Sequence, residues 1–164
     1  MTLVRNKVFD MVRGEILTCA LQPGMELREQ ELARRFGVSK SPIRDALQKL
    51  EFEGLVEIEP RRGHRVKPIS VADAEDILDL RVLLEGGIVR RAAERAGDAE
   101  LEALDAFREA DTDDVPGFTA YNRAFHTRLA QLSGNRRLAD EMRRVMEFYD
   151  RLCVVSLRNQ KSKD

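Results

Sequence analysis

Two short amphipathic segments joined by a tight turn limit what this chain can fold into more than any other feature. Residues 29–36 and 39–50 carry apolar residues at helical spacing, and Gly37 between them is a residue type that commonly ends a helix. One side of the second segment is an apolar stripe of Ile43, Ala46, Leu47 and Leu50. The opposite side carries Lys40, Ser41, Arg44 and Gln48. A helix that packs on one face and is cationic on the other suits the major groove of DNA.

The neighbouring residues extend these two helices to a larger module. Apolar residues at helical spacing over 4–16 predict a first helix, which the Pro- and Gly-containing turn at 21–24 ends. Ser39 is placed to cap the third helix. Residues 55–59 and 65–69 alternate with period two around a basic tip and predict a short β-hairpin. Residues 1–69 therefore predict a winged helix-turn-helix of three helices and a two-stranded β-wing.

The remaining residues, 70–164, predict an all-α helical bundle, so that the chain is mainly α. Ser70 and Asp73 have the spacing of a capping box ahead of a long helix. Further helices are predicted at about residues 99–109, 118–132 and 138–157. Gly86 and Gly87 lie inside the long helix, where each costs about 1 kcal/mol relative to alanine. They either allow another helix to approach closely, which we favour, or mark a kink.

Charge is divided unequally along the chain, although the net charge is only −1. Residues 1–69 hold 13 Lys and Arg against 10 Asp and Glu, whereas residues 70–164 hold 15 against 19. A basic first part joined to an acidic second part suits an anion-binding module attached to a module of another kind.

Neither a secreted nor a membrane protein is indicated by the sequence. No apolar run approaches the roughly 20 residues that a membrane span needs, and no signal peptide is evident. Cys19 and Cys153 lie far apart in apolar helical contexts, as expected of buried reduced thiols. We therefore expect a cytoplasmic protein.

Basic and small polar residues at the edges of the first module are the candidates for contacts with double-stranded DNA. Lys40 and Arg44 are one helical turn apart and are candidates for contacts to bases, because both residue types pair with the acceptor edge of guanine. Any one of these cations, taken alone, is better explained by a solvated face, whereas two cationic clusters at the edges of one module favour contacts with DNA. The full set is Arg34, Arg35, Ser39, Lys40, Ser41, Arg44, Gln48, Arg61, Arg62, Gly63 and His64.

The motifs of this module resemble the GntR family of bacterial transcription regulators over nearly all of residues 8–69. The matching pieces are residues 21–27, 31–33, 36–47, 53–56 and 62–63, in the order and spacing of the family. The resemblance implies a sequence-specific transcriptional repressor that binds operator DNA as a homodimer. Lys40 stands where the family more usually has arginine, which keeps the charge but loses the bidentate fork.

Residues 79–85, 125–126 and 134–135 resemble the FadR-type effector domain, FCD, of the same family. The resemblance implies a helical bundle that binds small organic acids, often through a divalent metal such as zinc or nickel, and that dimerises. Arg81 either pairs with Glu85 one turn away or binds the carboxylate of the effector.

Asn122 and His126 are the candidate metal ligands, since they share a helix face and Asn122 stands where the family has an acidic residue. The chain has only two histidines, the other being His64 on the wing, and fewer predicted helices than the family's domain. Two ligands make a poor zinc site, so this site is incomplete relative to the family. His126 is either a structural helix residue or part of a vestigial or partner-completed metal site.

A bundle with fewer helices than the family's domain is expected to have uncovered apolar faces that a second copy of the chain would cover, with the stripes at residues 77–88 and 145–157 as candidates.

The alternative to a regulator that responds to a small acid is a ligand-independent regulator, whose second part only dimerises. No Ser/His/Asp or Cys/His set and no Gly-rich phosphate loop is evident, so an enzyme is not expected.

Overall fold

The computed structural model describes residues 2–60, 63–108 and 114–161. The chain forms two compact units, Met1–Ile69 and Ser70–Asp164. The first is a winged helix-turn-helix and the second is helical. This confirms the predicted fold class, with one correction to the wing.

The first unit packs its helices around an aliphatic core. They are α1 (Thr2–Leu17), α2 (Glu29–Phe36) and α3 (Lys40–Phe52). Gly37 ends α2 in the left-handed conformation, with φ of 66°, where its lack of a Cβ removes the strain of that backbone. The core consists mainly of Val8, Val12, Ile16, Leu32, Ile43, Leu47 and Leu50. The stripe predicted on α3 is therefore the buried face of that helix.

The wing contains three strands where two were predicted. They are β1 (Glu26–Leu27), β2 (Val56–Glu59) and β3 (Gly63–Val66), with β3 in the centre and antiparallel to both others. A two-residue strand is too short to show alternation, which is why the sequence pattern missed β1. The last strand begins at the tip, since Gly63 pairs with Glu59, and it ends before Pro68, which has no N–H for the ladder.

Ser39 occupies the N-cap position of α3, as predicted, but its side chain makes no capping hydrogen bond. The prediction of a capping serine was therefore wrong in its chemistry. Ser70 behaves differently, because its Oγ accepts from the Asp73 N–H at 3.0 Å while Asp73 Oδ2 accepts from the Ser70 N–H at 2.8 Å. The capping box at the start of the second unit is confirmed.

The second unit contains α4 (Val71–Arg95), α5 (Asp98–Glu102), a 3₁₀ helix (Ala103–Phe107), α6 (Val115–Leu132) and α7 (Arg136–Lys161). The helix predicted at 99–109 is thus a short α-helix that tightens into a 3₁₀ helix. Ile88, Ala130, Met142 and Met146 form the buried core, with Leu84, Leu129, Leu138 and Tyr149 packed around it.

This packing corrects two predictions, the close approach of another helix at Gly86 and Gly87 and the uncovered apolar stripes. Gly86 and Gly87 are exposed, and apart from adjacent residues and the nearby backbone of α4, no atom of the described residues lies within 4 Å of where their Cβ atoms would be, so no other helix in the described residues approaches them closely. Ile88 and Val145 are buried and Leu84 and Tyr149 pack around the core, so these parts of the two predicted stripes face inward. Leu80 of the first stripe is 42% exposed and stays uncovered within the unit.

Two further expectations concern the two cysteines and the presence of a membrane-spanning helix. Cys19 is buried in the turn after α1 and Cys153 is half-buried in α7, and neither of these two cysteines is in a disulfide within the described structure. Among the described residues, we find no helix with the length and apolar character required to cross a membrane.

Candidate DNA-binding surface and effector site

The face of α3 opposite the core carries the side chains that were predicted to meet DNA. Lys40, Ser41, Arg44 and Gln48 are all exposed. Lys40 and Ser41 lie in the first turn, where free backbone N–H groups and the positive end of the helix favour a phosphate. This face can therefore offer cationic donors to a duplex without any rearrangement of the core.

Arg44 is held by Glu29, the first residue of α2. Its Nε donates to Glu29 Oε1 at 3.0 Å and its Nη2 donates to Oε2 at 2.9 Å, which is a bidentate ion pair. The hydrogen bond from Arg44 is the main cause that lowers the pKa of Glu29, and the charges of His64 and Lys40 lower it further. The same pair raises the pKa of Arg44.

The two arginines at the end of α2 differ in their surroundings. Arg35 donates from Nη1 and Nη2 to the Glu15 carboxylate on α1, at 2.9 and 2.6 Å, and its guanidinium lies 5.3 Å from the Phe36 ring centre. Arg34 is exposed and has no acidic partner among the residues that the structure describes. Arg35 therefore links two helices, whereas Arg34 is available to an anion.

The wing brings His64 near this surface. His64 is half-buried on β3, between Leu27 of β1 and Ile58 of β2, and its charge influences Glu29. Gly63, exposed at the tip, has φ of 96°, so a side chain there would strain the backbone. Arg61 and Arg62 were predicted to contact DNA and lie outside the described residues.

A polar cluster lies inside the second unit and is built around Arg81 of α4. Arg81 Nε donates to Glu85 Oε1 at 2.9 Å, as its spacing predicts. Its Nη2 lies 3.0 Å from Nε2 of His126 on α6, and its guanidinium lies 4.2 Å from the ring centre of Tyr149 on α7. The Arg81 side chain is only 12% exposed. One arginine therefore joins three helices.

The protonation of His126 follows from these contacts. A guanidinium can only donate, so Nε2 accepts from Arg81 and the imidazole proton resides on Nδ1. Nδ1 lies 3.2 Å from Glu85 Oε1 but is not aligned for a hydrogen bond, so it has no hydrogen-bond partner in the described structure. Burial is the main cause that lowers the pKa of His126, although Glu85 opposes the shift. The ring is accordingly neutral at pH 7.

The residues present do not fit the divalent metal that the FCD resemblance implies. No group of three or more His, Cys, Asp and Glu side chains in the described residues could hold a metal ion. The lone pair of His126 Nε2 already faces the cationic Arg81 side chain, and the other candidate ligand, Asn122, buries its amide nitrogen. We therefore derive no role for a metal in this unit.

Asp150 and Arg123 belong to the same region and were not predicted. Arg123 Nη1 on α6 donates to Asp150 Oδ2 on α7 at 2.9 Å. Asp150 is buried, and the charge of Arg81 acts on it. The sequence offered little signal for this pair, because the two residues are 27 positions apart and each looks like an ordinary surface charge on its helix.

Comparisons with known proteins agree with both units. Residues 4–66 match the model of "Bacterial regulatory proteins, gntR family", and residues 76–164 match that of the FCD domain. An HTH-type transcriptional regulator of Agrobacterium vitis is 31% identical over 132 residues, which are 76% of this chain and 77% of the relative. The HTH-type transcriptional repressor RspR of Escherichia coli is 29% identical over 161 residues, 93% of this chain and 69% of RspR.

Solved structures show the same relationship. A structure described as a GntR transcriptional regulator from Rhodococcus sp. RHA1 superposes with a TM-score of 0.70 at 28% identity, covering 92% of this chain and 74% of that one. The resemblance seen in the sequence motifs is thereby confirmed. The chain belongs to the gntR family of bacterial regulatory proteins, with an FCD domain after its winged helix-turn-helix, and is a DNA-binding transcriptional regulator and not an enzyme.

Proposed function

We propose that this regulator represses transcription by placing α3 in the major groove of an operator, with the wing on the adjacent backbone. The observation that carries the proposal is the exposed cationic face of α3, where Lys40 and Arg44 stand one turn apart over a buried apolar stripe. Arg44 and Lys40 are the candidates for base contacts, and Ser39, Ser41, Arg34 and His64 for phosphate contacts. Arg35 has a weaker claim, since Glu15 engages it.

Replacement of Arg44 tests this proposal. Arg44→Ala is expected to weaken binding to a duplex selected from a random pool by the wild-type protein, by about 1–3 kcal/mol, because a bidentate base contact is lost. Fluorescence anisotropy at fixed salt measures the affinity. Arg137→Ala, which removes an exposed arginine from the second unit, is the matched control and should bind as wild type. Equal affinity for Arg44→Ala and the control would contradict the placement of α3.

We further propose that a small carboxylate effector binds at the polar cluster of the second unit. Two buried donors there, Asn122 Nδ2 and His126 Nδ1, have no hydrogen-bond partner within the described structure. Buried polar groups are usually paired, so donors left unpaired beside an arginine favour an anionic ligand. Arg81 supplies the charge. The competing candidate, a regulator without an effector, is favoured by the fact that Glu85 already neutralises Arg81.

Thermal unfolding distinguishes these two candidates. In the presence of EDTA, a series of small mono- and dicarboxylates is expected to include a ligand that stabilises the protein by about 2.7 kcal/mol at a hundredfold excess over its Kd. Arg81→Gln should abolish that shift, whereas Arg137→Ala should retain it. If no acid in the series raises the Tm of the wild type, the effector-free regulator is the better description.

A second copy of the chain is proposed as the partner of the exposed face of α4. Leu78, Val82 and Val89 recur at helical spacing on that face and are 47, 72 and 50% exposed. Gly86 lies between them without a neighbour, so it would let a second helix approach closely. A two-fold dimer would present two α3 helices to the half-sites of a palindromic operator.

A further inference from the structure

The ion pair between Arg44 and Glu29 determines which edge of the guanidinium remains available. An arginine has five N–H donors on a rigid plane, and Glu29 engages the edge formed by Nε and Nη2. The two N–H groups of Nη1 and one of Nη2 are left, and they lie on the end of the side chain. Two parallel donors at that end match the paired O6 and N7 acceptors of guanine.

Glu29 is well placed to hold this orientation. Its side chain is 23% exposed, whereas that of Arg44 is 58% exposed, so the carboxylate is the more firmly enclosed partner. It is the first residue of α2, where the positive end of the helix favours a carboxylate. Lys40 of α3 adds positive charge around it. The anchor of Arg44 is thus a partly enclosed carboxylate on the first turn of α2.

We propose that Glu29 is a positioning residue that sets the base discrimination of this regulator by holding the Arg44 fork in the orientation that guanine requires. The inference rests on the proposed contact between Arg44 and a base. A guanidinium aligned in advance loses little conformational freedom on meeting its base. Contacts to phosphates, which dominate binding to unrelated DNA, require no such alignment. Glu29 therefore strengthens operator binding relative to other DNA, even though its negative charge opposes DNA in general.

The test compares Glu29→Gln with Glu31→Gln. Both variants remove one negative charge from the first turn of α2, but Glu31 is 62% exposed and pairs with Arg28 instead of Arg44. The measured quantity is the ratio of affinities for the selected duplex and for a scrambled duplex at one salt concentration. We expect the ratio to fall about three- to tenfold for Glu29→Gln, because a glutamine accepts from only one of the two nitrogens, and to remain unchanged for Glu31→Gln. Equal ratios for the two variants would overturn the inference.

Glu29→Asp separates orientation from charge. Aspartate keeps the negative charge but is one methylene shorter, so it cannot reach the same edge of Arg44 in the same geometry. Positioning predicts a reduced ratio for this variant, whereas a purely electrostatic role predicts the wild-type ratio and would contradict the proposal. The Nε–H resonance of Arg44 in the free protein supplies a second readout: its hydrogen exchange should be slow in the wild type and in Glu31→Gln, and fast in Glu29→Gln.

If the measured affinity ratios differ from those predicted, the Arg44→Ala variant shows which of the two claims has failed, the base contact of Arg44 or the positioning role of Glu29. If Arg44→Ala binds the selected duplex as wild type does, the proposed contact of α3 with the bases is wrong. If Arg44→Ala loses binding while Glu29→Gln keeps the wild-type ratio, the contact stands and the positioning role of Glu29 is rejected. In the double variant Glu29→Gln/Arg44→Ala, the further loss from the glutamine should vanish, because the side chain that it oriented is gone.

Discussion

Asp150 is a carboxylate that the second unit keeps away from water. Only 4% of the residue is exposed, and while Oδ2 accepts from Arg123, Oδ1 has no hydrogen-bond partner within the described structure. Burial raises the pKa of Asp150 to about 6, because the nearby charges of Arg123 and Arg81 offset only part of its desolvation. Between about pH 4 and pH 6, the native protein therefore binds a proton that the unfolded chain has released.

Folding stability should accordingly depend on pH through this residue. A folded pKa above the ordinary value means that the stability contribution is complete below about pH 4 and is lost as the pH rises through about 6. Asp150→Asn should remove this loss. The free energy of unfolding of the variant should therefore exceed that of the wild type by up to about 3 kcal/mol at pH 7 and equal it near pH 4. Urea unfolding at several pH values measures the difference.

The exposed Asp140 of the same helix provides the control for that experiment. It forms an exposed ion pair with Arg143 one turn away, and Asp140→Asn should leave the pH dependence of unfolding as in the wild type. If Asp150→Asn and Asp140→Asn gave the same pH profile, the buried carboxylate would not be the source of the effect.

At the scale of elements, the sequence predicted those features that depend on neighbouring residues. The bounds of α2 and its end at Gly37 follow from helical spacing and from one residue that tolerates the left-handed conformation. The capping box at Ser70 follows likewise from a spacing of three. Strand β1 could not be foreseen, because two residues have no pattern and their pairing with β3 is decided only when the sheet forms.

Some features of the candidate sites could likewise be predicted from the sequence, and others depend on how the helices pack. The outward side of α3 could be predicted, because the apolar stripe determines which residues face away from it. The anchoring of Arg44 by Glu29 could not, since it depends on how α2 packs against α3 and the two residues are 15 positions apart. For Arg81, the bond to Glu85 one turn away follows from the sequence, whereas the approach to His126 requires α4 and α6 to be packed.

At the scale of the whole molecule, a single α3 limits how much sequence a regulator can distinguish. One recognition helix contacts a few base pairs, and two helices related by a two-fold axis double that number and fix the spacing of the half-sites. A dimer is therefore expected to distinguish one operator from other DNA, because it brings two sets of base contacts from Arg44 and Lys40 to one site. The apolar residues that α4 exposes are the surface on which we expect it to depend.

Val82→Asp tests that dependence. Val82 is 72% exposed and so is not needed by the core of its own unit, but a carboxylate buried in an interface between two apolar helix faces would be left without a partner. We expect the variant to fold and to sediment as a monomer, and to bind a palindromic duplex at least tenfold more weakly while keeping its affinity for a single half-site. Leu101→Asp, on exposed α5, should remain dimeric. A Val82→Asp protein that sediments as a dimer and binds the palindrome normally would show that the two copies meet through another surface.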